Sequence, residues 1–223
     1  MVRAVFFDID GTLVDSNEFH VMAWQEAFRD YGHHFEKEQI RGQIGKGGDQ
    51  LVPSLLPGSD EKTEKSLSHR HGEIFKPKYL HQVRPFPHAF DLLEMLHARS
   101  VAVLLASSSE KTEVEHYVHL LKAEPFLTGV VSKDDVENSK PAGDIFAAAL
   151  AKVFPMVASD TFAVGDTPYD VESALRSNIK TIAVRSGGFS EEVLAGAGAS
   201  HVYGSVKDLF DNFSGSPLAI GHV

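Results

Sequence analysis

The segment Asp8-Ile9-Asp10-Gly11-Thr12 directly follows the apolar run Val5-Phe6-Phe7, so two carboxylates stand two residues apart just after a hydrophobic stretch. An apolar run so near the start of the chain is typical of a buried strand in a parallel sheet. Open α/β sheets bind their ligands at the carboxyl ends of such strands. Both carboxylates point to the same side of an extended chain, and close like charges are costly unless a cation or a shared proton relieves them. We therefore expect a metal ion, a reacting phosphate, or both at this strand end.

The rest of the chain alternates apolar runs with helical patterns. The runs predicted as strands are residues 4–7, 101–106, 129–132, 161–164, 181–184 and 201–203. The segments predicted as helices between them are residues 86–98, 111–121, 144–153, 169–177 and 191–197. This alternation predicts an α/β fold with a doubly wound parallel sheet, a Rossmann-like core.

Residues 16–82 interrupt the alternation with helical patterns and no strand. A crossover between parallel strands needs only about a dozen residues or somewhat more, so this stretch is too long for one. We expect an inserted helical cap domain at residues 16–82, with hinges at 14–16 and 83–87, and a catalytic core formed by residues 1–15 and 83–223. The tail, residues 214–223, is rich in glycine, serine and proline and is expected to be poorly ordered.

The composition excludes several classes of protein. Hydrophobic residues make up 43% and charged residues 23% of the 223 residues, as in ordinary globular proteins. A net charge of -10 argues against a broad basic surface, so we expect no nucleic-acid partner. Without a signal-peptide pattern or an apolar run of about 18–20 residues, we expect no membrane contact and a cytoplasmic location. The lack of cysteine excludes disulfides and thiolate chemistry, and we expect a monomer or a homodimer.

Polar side chains follow four of the predicted strands: Asp8 with Asp10, Ser107, Lys140, and Asp166 with Asp170. In a parallel sheet these strand ends meet at one edge. A carboxylate can attack phosphorus, and a second one can protonate the leaving oxygen and later activate water. Mg²⁺ suits a site of oxygen ligands, while a lysine and a serine hydroxyl suit the oxygens of a transferring phosphoryl group.

Four motifs occur in order: Asp8-Ile9-Asp10-Gly11-Thr12, Ser107 at a strand end, Lys140-Pro141, and Gly165-Asp166-Thr167-Pro168-Tyr169-Asp170. With these motifs the chain resembles the haloacid dehalogenase superfamily, in its phosphatase and phosphomutase branch with a small helical cap. The resemblance covers essentially the whole chain, because an insertion of cap length falls between the first two motifs. Gly143 and His88 depart mildly from the common pattern, and neither touches the expected chemistry.

The resemblance implies a role for each motif residue. Asp8 would be the nucleophile and Asp10 the general acid/base, while Ser107 and Lys140 would hold the phosphoryl group. Mg²⁺ would be held by the carboxylates of Asp8 and Asp166 and by the backbone carbonyl of Asp10. Asp170 would be a further ligand or a partner of one, and the alternative is a carboxylate that only starts a helix.

These roles predict a Mg²⁺-dependent phosphatase that hydrolyses a small phosphorylated metabolite through an aspartyl-phosphate intermediate. Dehalogenase members lack the second carboxylate of the first motif, so Asp10 favours phosphoryl transfer. The main alternative is a sugar phosphomutase of the beta-phosphoglucomutase kind, although the segment from Gly165 to Asp170 favours hydrolysis. A non-catalytic binding protein on the same fold is a further alternative.

Assignments outside the motifs have open alternatives. Ser108 and Ser109 could cap the helix that begins near Glu110, which leaves Ser107 as the expected phosphate donor. In the insertion, Lys46 lies in the glycine-rich segment Gly45-Lys46-Gly47-Gly48, where it would contact the leaving group, or the segment is a simple loop.

The histidines of the insertion receive two different predictions. His20 shares a helix face with Trp24, either facing the active site or packing as an aromatic surface. The pairs His33-His34 and His69/His71 stand among charged residues and are predicted to be solvated.

Overall fold

The computed structural model describes residues 2–219 of the chain. The strands are β1 (Ala4–Phe7), β2 (Val14–Asp15), β3 (Arg84–Pro85), β4 (Ala102–Ala106), β5 (Leu127–Val131), β6 (Thr161–Gly165), β7 (Lys180–Val184) and β8 (His201–Tyr203). The helices are α1 (Asn17–Asp30), α2 (Lys37–Arg41), α3 (Gly48–Leu55), α4 (Glu61–Lys78), α5 (Ala89–Ala98), α6 (Lys111–Leu121), α7 (Asp144–Lys152), α8 (Pro168–Arg176), α9 (Glu191–Gly196) and α10 (Val206–Asp211).

Six parallel strands form the central sheet in the order β5-β4-β1-β6-β7-β8. All four residues of β1 are buried, and its last residue, Phe7, pairs with Leu105 of β4 and Val164 of β6. The carboxyl ends of these three neighbouring strands therefore lie side by side. The residues that follow them are Asp8, Ser107 and Asp166.

The two faces of the sheet are covered by different helices, and β1 shows how the sequence produces this. Val5 and Phe7 pack in one apolar cluster with residues of α5, α6 and α10. Ala4 and Phe6 pack on the opposite face with residues of α7 and α8. Successive side chains of a strand point to opposite faces, so a continuous apolar run buries both. The predicted doubly wound α/β fold is confirmed.

The stretch between β2 and β3 contains α1 to α4; we call residues 16–82 the helical insertion. It has its own apolar cluster, which includes Trp24, Phe28 and Leu67. At its base β2 and β3 pair antiparallel, with Val14 opposite Pro85, a ribbon that the sequence pattern does not predict. Helices α2 and α3 of the insertion are separated by a loop with glycines at 42, 45 and 47.

Most predicted elements lie within three residues of the observed ones, and three details differ. Helix α5 begins at Ala89 rather than at 86, because Pro87 and His88 precede it and His88 has a left-handed φ of 62°. Helix α10 has no counterpart in the prediction. The expected disorder of the tail is wrong for residues 214–219, where Ser216 and Leu218 are buried; residues 220–223 lie outside the described part. Among the helices of residues 2–219, none has the length and apolar character of a membrane span.

Candidate active site

The turn after β1 places Asp8 and Asp10 at the centre of the sheet edge. Gly11 has a φ of 78°, and a Cβ atom there would overlap the side chains of Asn17 and Asp166. Only glycine fits a left-handed residue in so crowded a position. Thr12 Oγ1 then lies 3.1 Å from Asp8 Oδ2 and 2.9 Å from Asp166 Oδ1, which joins the first and last motifs.

Lys140 holds two carboxylates together beneath this turn. Its fully buried ammonium donates to Asp8 Oδ1 at 2.5 Å and to the carbonyl oxygen of Ala106 at 2.7 Å, and it lies 2.8 Å from Asp170 Oδ1. Burial alone would lower the pKa of Lys140, but the charges of Asp170 and Asp8 outweigh it and raise that pKa. The lysine is therefore charged and aimed at the proposed nucleophile.

Asp8, Asp166 and Asp170 form a buried cluster in which one carboxylate oxygen from each lies within 4.8 Å of the others. Burial and the neighbouring charges of Asp8 and Asp170 raise the pKa of Asp166 well above its usual range. Burial also raises the pKa of Asp8 to about 7, although Lys140 acts in the opposite direction. Three carboxylates with one ammonium leave excess negative charge, and this set of hard oxygen donors fits a divalent cation such as Mg²⁺.

The two carboxylate oxygens of Asp170 have different surroundings. Its Oδ2 accepts from the backbone N–H of Thr167 at 3.0 Å and from Thr167 Oγ1 at 2.7 Å, which closes the capping box of α8. Its Oδ1 is buried, faces Lys140 and accepts no well-directed hydrogen bond from the described residues. Asp170 Oδ2 therefore caps the N-terminus of α8, whereas Oδ1 faces Lys140 in the carboxylate cluster.

Asp10 lies outside that cluster and faces the helical insertion. Its carboxylate accepts from Ser16 Oγ at 2.6 Å and Ser109 Oγ at 2.7 Å, and its Oδ1 lies 3.1 Å from His20 Nε2. Burial would raise the pKa of Asp10, but the charge and hydrogen bond of His20 and the two serine hydroxyls lower it below its usual range. Asp10 is thus ionised in this arrangement.

The three serines that follow β4 have different hydrogen-bond partners. Ser107 is buried and accepts from the backbone N–H of Ser109 at 3.0 Å, while Ser109 Oγ donates to Asp10. Ser108 Oγ is buried and has no hydrogen-bond partner among residues 2–219. All three border the cleft that contains Asp8.

His20 and His71 form a stacked pair within the insertion. His20 Nδ1 lies 3.2 Å from His71 Nε2, and the ring of His71 stacks on Trp24 with centroids 4.4 Å apart. Burial would lower the pKa of His20, but Asp10 raises it, whereas burial and the charge of His20 lower the pKa of His71. The prediction that His71 is solvated surface is wrong, because its ring is half-buried between α4 and α1, where it contacts His20 and stacks on Trp24.

A cleft of about 80 Å³ separates the insertion from the strand ends. The glycine-rich segment Gly45–Gly48 lies in close contact with two loops of the core. A Cβ atom at Gly47 would overlap Ser139, and one at Gly45 would overlap Thr167. Asp49 Oδ2 also accepts from the backbone N–H of Ser139 at 3.0 Å. These contacts close the insertion over the residues beside Lys140 and Asp166.

Lys46 borders the cleft, and its ammonium donates to Gln43 Oε1 at 2.6 Å and Ser54 Oγ at 2.9 Å. The ammonium also lies 4.5 Å from the centroid of the Tyr169 ring. Burial lowers its pKa. An ammonium has three N–H donors, so one remains for a substrate oxygen.

We expect Lys46→Ala to lower kcat/KM for the natural substrate by at least about tenfold, the loss of one interaction with the leaving group. A small aryl phosphate reaches only the core residues and should lose little. Steady-state kinetics on both substrates measure this, with Lys62→Ala, an exposed lysine of α4, as the control. Equal losses on both substrates would place Lys46 in folding or core chemistry, and no loss would make it a solvated loop residue.

Several residues that build this site are not singled out by the sequence pattern. Asn17 Nδ2 donates to Asp166 Oδ2 at 3.0 Å, and Ser109 donates to Asp10. Thr12 also contacts Asp8 and Asp166, and its place in the first motif is the one sequence feature that could have indicated this. Glu113 is buried in α6 and borders the cleft, and nothing in the sequence distinguishes it from its exposed neighbour Glu115.

Comparison with known proteins shows relatives that match most of the chain. A pyrophosphatase PpaX from Oceanobacillus iheyensis is 27% identical over 187 residues, which are 82% of this chain and 83% of the relative. A phosphorylated carbohydrates phosphatase from Thermotoga maritima is 24% identical over 182 residues, 81% of this chain and 84% of the relative. The crystal structure of a hydrolase from Pseudomonas syringae superposes with a TM-score of 0.88 at 28% identity and covers 95% of this chain and 98% of that one. The pattern of the haloacid dehalogenase-like hydrolases matches residues 5–184, and the chain belongs to that family.

Proposed function

We propose that this protein is a Mg²⁺-dependent phosphatase that hydrolyses a small phosphorylated metabolite through an aspartyl-phosphate on Asp8. The position of Asp8 carries the proposal. Asp8 directly follows the strand β1, and its carboxylate contacts Lys140 at 2.5 Å, belongs to the buried cluster with Asp166 and Asp170, and borders the cleft. Asp10 borders the same cleft. A nucleophile and an acid/base therefore border one cleft that a phosphoryl group can enter, and the buried positive charge of Lys140 contacts the nucleophile.

In the first step Asp8 attacks phosphorus while the bond to the leaving oxygen breaks. The leaving oxygen takes a proton through Asp10, which is ionised here; the source of that proton in this proposal is His20, whose Nε2 lies 3.1 Å from Asp10 and whose pKa Asp10 raises. In the second step Asp10 accepts a proton from water as the water attacks phosphorus, which releases phosphate and frees Asp8. Ser107 and Lys140 hold the phosphoryl oxygens.

The cation would be held by Asp8, Asp166 and Asp170 with the backbone carbonyl of Asp10. When bound, Mg²⁺ supplies positive charge that neutralises the phosphate and the attacking carboxylate together. The helical insertion acts as a cap in this proposal. Its contacts at Ser139 and Thr167 exclude bulk water from the acyl phosphate, and its cleft residues select the substrate.

Activity is expected to require Mg²⁺, to vanish with EDTA and to be inhibited by Ca²⁺, which prefers more ligands at longer distances. Asp166→Ala should raise the Mg²⁺ concentration needed for half-maximal rate steeply, and Asp170→Ala less so, because one oxygen of Asp170 already caps α8. Metal titrations of the rate measure both effects. Full activity in EDTA would exclude the metal site.

A screen of phosphorylated metabolites with Mg²⁺, with an aryl phosphate as generic substrate, tests the proposed reaction. We expect release of inorganic phosphate from the aryl phosphate and from at least one metabolite. Conversion of sugar 1-phosphates to 6-phosphates, dependent on a bisphosphate primer, would instead identify a phosphomutase. No turnover of any substrate would favour a binding protein on this fold.

A further inference from the structure

Glu113 is a buried acid that the proposed reaction does not use. It lies on α6 with 4% of its surface exposed, and its side chain borders the same cleft as Asp8 and Asp10. No described residue donates a hydrogen bond to its carboxylate. Buried polar groups without a partner are rare and costly, so such a group facing a cleft is suited to a partner that comes with the ligand.

Its surroundings place Glu113 on the leaving-group side of the cleft. Glu113 and Asp10 border the same cleft, and the charges of His20, Asp10, Lys76 and Glu110 act on the Glu113 carboxylate. Asp10 serves the leaving oxygen, and Lys140 serves the phosphoryl oxygens. Burial raises the pKa of Glu113 to about 7, in keeping with a carboxyl group withdrawn from water.

The lysines nearby already have protein partners. Lys76 donates to Glu110 at 2.6 Å, and Lys133 lies 3.3 Å from Asp49. Lys46 donates to two neutral side chains and faces the ring of Tyr169. No arginine borders the described cleft. Of the two lysines that border the described cleft, Lys133 is paired with Asp49 and Lys46 keeps one N–H, so a leaving group that carried a second phosphate would set one ammonium against the repulsion of the Glu113 carboxylate.

The remaining wall suits a neutral ligand. Trp24 and His71 border the cleft as a stacked aromatic pair, and burial keeps His71 uncharged by lowering its pKa. Aromatic surface with one well-placed acceptor is typical of a site for a small polar molecule. A carboxylate is an acceptor-only group that hydroxyl donors can satisfy.

We propose that Glu113 selects the leaving group by accepting hydrogen bonds from the hydroxyls of a neutral polyhydroxylated alcohol and by disfavouring a second phosphate. This inference rests on the proposed phosphatase function. It makes sugar monophosphates, rather than inorganic pyrophosphate, the substrates of this chain.

The test compares kcat/KM of the wild type, Glu113→Gln and Glu113→Leu on hexose and pentose monophosphates, inorganic pyrophosphate and an aryl phosphate. We expect the wild type to prefer the best sugar monophosphate over pyrophosphate. Glu113→Leu should lower kcat/KM for that sugar phosphate by about 10–100-fold, mainly through KM, as expected for lost hydrogen bonds to a charged group. Assayed above pH 7, where Glu113 is ionised, Glu113→Gln should shift the preference toward pyrophosphate by at least about tenfold, because it removes the repelling charge but keeps an acceptor.

The controls separate this inference from the proposed function. The aryl phosphate should change by less than about threefold in both variants, since it lacks the hydroxyls that Glu113 would hold. Glu115→Gln, an exposed acid on the same helix, should leave all rates unchanged. A wild type that prefers pyrophosphate, or equal losses on every substrate in both variants, would overturn the role of Glu113 while aryl phosphate turnover still supports the phosphatase. Lack of any phosphatase turnover in the wild type would overturn both.

Discussion

Asp8→Asn is expected to abolish turnover and leave the fold intact. The amide cannot attack phosphorus to form the acyl phosphate, so the covalent route is lost rather than slowed. The fold should survive because Lys140 keeps its contacts with Asp170 and with the carbonyl oxygen of Ala106. Phosphate release from an aryl phosphate and from the best metabolite measures the loss.

The control for this variant is Asp211→Asn, which removes an exposed carboxylate from α10. It should retain full activity. Thermal unfolding of the wild type and both variants checks that the loss in Asp8→Asn is chemical. Near-normal turnover in Asp8→Asn would refute the assignment of the nucleophile.

Asp10→Asn is expected to slow turnover by about 10²–10⁴-fold, the usual contribution of a general acid/base. The loss should depend on the leaving group. An alkyl alcohol needs a proton as it departs, whereas a phenolate with a low pKa leaves without one. The first step for an aryl phosphate should therefore suffer less than that for an alkyl phosphate.

Pre-steady-state kinetics on an alkyl and an aryl phosphate separate the two steps in Asp10→Asn. One of the two serines that contact Asp10, Ser16 or Ser109, can still donate to the amide oxygen of Asn at this position, and the other can accept from its N–H, so the turn after β1 should be preserved. A loss of less than about tenfold on the alkyl phosphate would mean that another group moves the proton.

The sequence predicts the part of the site that follows directly from strand ends. Val5-Phe6-Phe7 identifies the central strand, and parallel pairing brings the ends of β4 and β6 beside it. The distances between Asp8, Lys140, Asp166 and Asp170 agree with that expectation. Each of these residues lies in a short motif beside an apolar run. The local sequence pattern was therefore enough to predict where in the fold each of them lies.

The rest of the site depends on packing between elements far apart in the chain. His71 and His69 have similar neighbours in sequence, yet α4 turns His71 toward α1 and leaves His69 exposed. Glu113 and Glu115 differ in the same way on α6. The antiparallel pair β2 and β3 is two residues long on each side, too short for any periodicity to predict.

Chemical trapping of the phosphorylated protein during turnover tests most directly whether Asp8 is the nucleophile. Wild type and Asp10→Asn are mixed with aryl phosphate and Mg²⁺, quenched in acid within the first turnover, and digested for mass spectrometry of the peptide that contains Asp8. We predict one added phosphoryl group on Asp8 in both proteins, sensitive to hydroxylamine as an acyl phosphate is, and none in Asp8→Asn. Phosphate release without any phosphoryl group on Asp8, or with the group on another residue, would contradict the proposed mechanism.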